Sequence, residues 1–121
     1  IIPTGALPDD ESFTSISAAI ENDPKFPQRT SVIWVLEEAP KVLNIRIWER
    51  GAGETLGCGT GSAAAAADYM RRRSLGGTVE VKNKGGAVKV TMPQWDSPID
   101  VEGDAFTVYS GIYDLPKGIW S

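Results

Sequence analysis

Apolar positions along the chain begin at helical spacing and then change to strand alternation. Phe13, Ile16 and Ile20 recur at i, i+3 and i+7, and Asp9 and Asp10 stand where a helix cap belongs. The spacing predicts a helix over 10–22, ended by Pro24 and Pro27 around Phe26. Residues 31–36 form a short apolar, β-branched and aromatic run that predicts a buried strand. Glu37-Glu38-Ala39-Pro40 reads as a turn. Over 42–48, Leu43, Ile45 and Ile47 alternate with Asn44 and Arg46, which predicts a second strand with one face buried.

A glycine-rich stretch over 51–61 separates that strand from a second helix over 62–73. Five consecutive alanines give it high intrinsic helix propensity, and Arg71, Arg72 and Arg73 suit the negative end of its dipole. Ser74-Leu75-Gly76-Gly77 stops it. Strands follow at 78–83 and 87–92, joined by a Lys84-Gly85-Gly86 turn, and a last one is expected at 105–113. The order predicts an α+β fold with mixed, mostly antiparallel strands and no βαβ rhythm. The alanine helix has so little bulk that strands can wrap closely around it as a central element.

Composition narrows the possibilities. The chain has 121 residues, enough for one domain, and a 41% hydrophobic, 23% charged composition typical of a soluble globular protein. A net charge of −4 argues against nucleic acid as a partner. No apolar stretch is long enough to span a membrane. A single cysteine makes no internal disulfide, which suits a cytoplasmic setting. Histidine is absent, so the usual general base at neutral pH is missing. The chain starts Ile1-Ile2-Pro3 without a signal-like segment, and reads as a fragment, a processed product or one half of something larger.

Candidate chemistry concentrates in Glu49-Arg50-Gly51-Ala52-Gly53-Glu54-Thr55-Leu56-Gly57-Cys58-Gly59-Thr60-Gly61. Cys58 is placed at the first turn of the alanine helix, where exposed backbone N–H groups and the macrodipole favour a thiolate and bind an anion. The string lacks the Gly-Lys-Ser/Thr of a nucleotide-binding loop, and a papain-like thiol would need a histidine. A thiol beside a carboxylate-binding helix end suits removal of a proton alpha to that carboxylate, because the end stabilises the developing charge. The competing reading is a small buried thiol. Glu49 and Arg50 read either as site residues or as a surface pair. Glu54 reads as a loop carboxylate capping backbone amides or as a catalytic group. Thr55 and Ser62 are expected to serve loop and helix-start hydrogen bonds. Trp34, Trp48 and Trp95 are expected in the core or at an interface, with Trp120 anchoring the tail and Arg71–Arg73 solvated.

Together with Phe26-Pro27 and the Thr30-x-Val32 strand, this string closely resembles the C-terminal half of the diaminopimelate epimerase family. The resemblance runs from about residue 20 to 115 and includes Gly-Thr-Val-Glu-Val at 77–81 and Val-Tyr-Ser-Gly-Ile at 108–112. Proline racemase and the phenazine-pathway isomerase share parts of the pattern but not the string. The resemblance implies one of two pseudo-symmetric halves, each wrapping strands around a central helix, with substrate between them. It also implies no pyridoxal phosphate, no metal and no other cofactor. One cysteine from each half then acts as base or acid on LL- and meso-diaminopimelate, in the pathway to lysine and peptidoglycan.

By motif position Cys58 is one of that pair, and Glu49 helps tune it. The resemblance further implies that Glu49 and Arg50 bind substrate polar groups and that the Gly59 and Thr60 amides hold the reacting carboxylate. Ser31 stands where the family usually has a substrate-contacting asparagine. The N-terminal half, with the partner cysteine and its histidine, is absent from this chain, so the chain alone is expected to be inactive. Other readings are a racemase for a different amino acid and a non-catalytic carboxylate-binding module. Self-association into a homodimer that mimics the complete enzyme is also open.

Overall fold

Alternate residues of two adjacent strands serve different helices, and this divides the molecule into two layers around one sheet. The computed structural model describes residues 1–118, so Trp120 lies outside the described residues. The element order is β1 (Ile2–Thr4), α1 (Asp10–Glu21), β2 (Val32–Ala39), β3 (Val42–Glu49), β4 (Gly53–Thr55), α2 (Gly59–Arg73), β5 (Gly77–Asn83), β6 (Gly86–Met92) and β7 (Asp100–Glu102). The sheet runs β1-β2-β3-β5-β6-β7, with β4 also paired to β3.

The fold is α+β with a mixed, mostly antiparallel sheet, as expected. The expectation of no βαβ rhythm is corrected. β1 pairs parallel to β2 across α1, and β3 pairs parallel to β5 across α2. β1 is only three residues long and contains Pro3, so it carries no periodic signal. Likewise β4 is three residues inside the glycine-rich stretch, antiparallel to β3.

Leu43, Ile45 and Ile47 of β3, with Ile33 and Val35 of β2, face α2 and meet Ala65, Ala66, Tyr69 and Met70. Val79, Val81, Val90 and Met92 from the β5–β6 hairpin complete this core. Each fully buried aliphatic side chain contributes about 1.5–3 kcal/mol through removal from water. The helix lies close because its core-facing residues are small. A Cβ on Gly61 would stand 3.3 Å from the Cδ1 atoms of both Ile33 and Ile47.

The other face carries α1. Its buried row is Phe13, Ser17 and Glu21, not the predicted Phe13, Ile16 and Ile20; Ile16 is 43% exposed. Two polar residues can be buried there because indoles satisfy them. Trp34 Nε1 donates to Ser17 Oγ at 3.0 Å, and Trp48 Nε1 donates to Glu21 Oε2 at 2.7 Å. Arg46 lies with its guanidinium 3.9 Å above the Phe13 ring and bonds Glu54, Asp10 and the Pro8 carbonyl.

Two predicted boundaries are also corrected. The turn expected at 37–40 is strand through Ala39, with the reversal at Pro40-Lys41, where Lys41 has φ 61°. The carboxylates are drawn into the sheet by cations and a phenol: Glu37 pairs with Arg73 and accepts from Tyr69, and Glu38 pairs with Lys82. Arg73 is therefore not simply solvated. The strand expected at 105–113 does not form; β7 pairs with β6 at 100–102 instead, and the chain then leaves the sheet. Alternation signals capacity to pair, and no neighbouring strand meets this segment among the described residues. Phe106, Val108, Tyr109 and Ile112 are 82%, 88%, 86% and 99% exposed.

Candidate active site at the start of the alanine helix

Cys58 is the N-cap of α2, with extended backbone at φ −150° and ψ 117°. Its Sγ accepts from the Gly61 N–H at 3.3 Å and lies 3.3 Å from Thr60 Oγ1. Its carbonyl accepts the Ser62 N–H at 2.9 Å, which closes the first turn. The thiol is half-buried and free. Among the described residues, the N–H groups of Gly59 and Thr60 have no intramolecular acceptor. Such orphan donors at the positive end of a 15-residue helix form a site for an anion.

An open cleft of about 670 Å³ lies over this helix end, lined by Cys58, Gly59, Ser62, Asn83, the 85–88 hairpin, Asp104 and Phe106 among others. Nothing lies within 4 Å of a Cβ built on Gly59, so a ligand can approach the backbone there. Asn83 was not singled out by the sequence, where it is one polar residue before a glycine turn. Its Nδ2 donates to the buried Ser62 Oγ at 3.0 Å. Ser62 is thus a buried tether of the helix to the sheet, and the helix starts earlier than the predicted 62.

Glu49, Arg50 and Ser31 gather at the end of β3. Glu49 follows Ile47 on the face that α2 covers, and its Oε1 accepts from Thr55 Oγ1 at 2.6 Å. Arg50 donates its backbone N–H to Ser31 Oγ at 3.0 Å and its Nη1 to the Gln28 carbonyl at 3.3 Å. Cys58 and Gly59 line the cleft, whereas Glu49, Arg50 and Ser31 form a second group outside its lining. Glu54 faces away from the thiol. It holds Arg46 through both oxygens and pairs with Lys84 at 2.7 Å, so it is an ion-pair carboxylate and not a cap of backbone amides. The Arg46 guanidinium first, and Lys84 as well, hold the Glu54 carboxyl below its ordinary range.

The sequence also gave no sign of Glu21, which reads there as the polar end of a helix. Its buried carboxylate accepts from the Trp48 indole and from the Gly51 backbone N–H at 2.8 Å, and Arg29 lies 3.4 Å away. The Trp48 bond chiefly, then the Gly51 bond, lower its pKa.

The family model described as diaminopimelate epimerase matches residues 6–108. A protein of Burkholderia thailandensis named diaminopimelate epimerase is 40% identical over 89% of this chain and 39% of its own length. One of Burkholderia pseudomallei with the same name is 40% identical over 81% of this chain and 35% of its own. This chain therefore spans less than half the length of these relatives. A solved PhzF-family phenazine biosynthesis protein from Bacillus anthracis overlays with a TM-score of 0.50 at 16% identity, over 69% of this chain and 26% of that one. That likeness speaks to the fold. No helix among the described residues is long and apolar enough to cross a membrane.

Proposed function

Because the chain belongs to the diaminopimelate epimerase family, we propose that it supplies one half of an epimerase interconverting LL- and meso-diaminopimelate without a cofactor. The observation that carries this reading is the Cys58 thiol capping a helix whose Gly59 and Thr60 N–H groups are free to hold a carboxylate. In this reading one thiolate removes the alpha proton, and the C–H electron pair spreads into the carboxylate held at the helix end. A second thiol then returns a proton on the opposite face. Cys58 is one of these two thiols. Glu49 tunes it, and Arg50, Ser31 and Glu49 contact the polar groups of the substrate.

The second thiol comes from an N-terminal half preceding this domain in the working enzyme. Support comes from the length of the relatives and from Phe106, Val108, Tyr109 and Ile112, whose exposure leaves apolar surface for another chain segment to cover. A homodimer that presents two copies of Cys58 is the alternative source of the second thiol. The setting is the cytoplasm, where a free thiol stays reduced.

The test is incubation of the domain in D2O with LL-diaminopimelate, with and without a matching N-terminal half. Alpha-deuterium uptake should require both halves and fall to background in Cys58→Ala. Absence of uptake in the reconstituted protein would sink the substrate assignment. Uptake by the domain alone, from a dimer, would replace the missing half by a second copy.

A further inference from the structure

The segment carrying Glu49 and Arg50 is held from an element outside it, the C-terminal end of α1. We propose that Glu21 is the positioning residue of this segment: its one buried carboxylate clamps both flanks of the Glu49–Arg50 pair. Oε2 accepts from the indole of Trp48, immediately before the pair, and Oε1 accepts from the backbone N–H of Gly51, immediately after it. The inference rests on the proposed assignment of Glu49 and Arg50 to substrate.

Every backbone donor of the turn is accounted for. The Arg50 N–H goes to Ser31 Oγ, the Gly51 N–H to Glu21 and the Ala52 N–H to the Glu49 carbonyl. Two of these three acceptors, Ser31 just before β2 and Glu21 at the end of α1, lie outside the turn, so its shape is imposed from elsewhere in the chain. Arg29 closes the arrangement. It sits 3.4 Å from Glu21 Oε1, and its Nη2 would lie 3.0 Å from a Cβ on Gly51. Gly51 has φ +77°, a conformation that glycine adopts without the cost borne by other residues.

The clamp acts across the sheet. Trp48 points to the α1 face, where Phe13 meets its ring edge-on at 6.0 Å, while Glu49 points to the α2 face. Fixing the Trp48 indole and the Gly51 amide sets the backbone between them, and hence the direction in which Glu49 and Arg50 leave it. Glu21 touches no substrate in this account.

The test compares wild-type full-length protein with Glu21→Ala and Glu21→Gln in two measurements. Hydrogen exchange at the Gly51 amide and the Trp48 indole reads the clamp, with the Ile45 and Val81 amides as folding references. Alpha-proton exchange of LL-diaminopimelate in D2O gives kcat and KM. In Glu21→Ala the Gly51 amide should exchange about tenfold faster or more with the reference amides unchanged. Its kcat/KM should fall about tenfold or more, as expected when reacting groups are misplaced. Glu21→Gln keeps one acceptor and should recover part of both effects; it also carries the comparison if the alanine variant does not fold. Gly51 exchange within about twofold of wild type in both variants overturns the clamp. Faster Gly51 exchange with unchanged kcat/KM overturns the positioning role. A wild-type protein that exchanges no amino acid overturns the functional reading and this positioning role with it, and the Gly51 amide then decides the clamp alone.

Discussion

Asn83, the last residue of β5, donates from Nδ2 to the Oγ of Ser62, a fully buried residue on the first turn of α2, at 3.0 Å. Ser62 Oγ also donates to Asn83 Oδ1 at 3.4 Å, and the pair fastens the end of the helix that bears Cys58 to the edge of its cleft. A neutral hydrogen bond of this kind contributes about 0.5–1.5 kcal/mol, and leaving a buried partner unsatisfied costs about 1–3 kcal/mol. Asn83→Leu should therefore destabilise more than Ser62→Ala. Urea unfolding of both single variants and the double variant should give a coupling of about 0.5–1.5 kcal/mol. Additive effects would mean that the contact does not hold the helix.

Capping and chemistry meet in Cys58, and they can be separated. Serine is a preferred N-cap and keeps an acceptor for the Gly61 N–H, whereas alanine has none. Cys58→Ser should be more stable than Cys58→Ala by about 1 kcal/mol. Both should lose alpha-proton exchange in the complete enzyme. Thermal unfolding read beside deuterium uptake checks the pair; equal stabilities would remove the cap from the account.

Gly76 has no room for a side chain. A Cβ there would lie 2.1 Å from the Pro93 carbonyl oxygen and 2.6 Å from its carbon, so backbone has to move. Gly76→Ala should destabilise by about 1–3 kcal/mol or more, the range for overpacking. A wild-type urea midpoint would show that the connection between α2 and β5 yields freely.

Acid should weaken the fold through carboxylates held by partners, the helix-capping Asp9 among them. Glu54 beside Arg46, and Glu21 beneath the Trp48 indole, both titrate below the ordinary 4.5 in the folded chain. A depressed folded pKa means that the unfolded chain binds the proton first as pH falls. Their contribution is complete above the ordinary value and is lost as pH drops below it through the depressed folded values. Urea midpoints taken from about pH 6 down to pH 3 should decline at the acid end, and less steeply in Glu54→Gln. An acid limb identical in wild type and variant would remove the Arg46–Glu54 pair from this account.

β2, β3, β5, β6 and the second helix were legible because their patterns are local: Leu43, Ile45 and Ile47 alternate, and five alanines have one strong preference. The helix-end site was legible for the same reason, since Cys58, Gly59 and Thr60 are consecutive. What escaped the sequence depends on partners distant along the chain. The α1 stripe moved from Ile16 to Ser17 and Glu21 because Trp34 and Trp48 supply hydrogen bonds that no helical period encodes. The parallel pairing of β1 with β2 joins residues about thirty positions apart through only three residues of strand. The strand expected at 105–113 fails for the same reason: a strand needs a neighbour, and none of the described residues provides one.

Odd positions of β3 deliver Leu43, Ile45, Ile47 and Glu49 toward α2, and even positions deliver Arg46 and Trp48 toward α1. Adding or deleting one residue within that strand would exchange both sets together: hydrocarbon would be sent against Glu21, and a guanidinium into the apolar core. In descent, then, β3 should accept changes of residue far more readily than changes of length. Natural insertions should collect at the reversals around Pro40-Lys41 and Lys84-Gly85, where no parity is at stake.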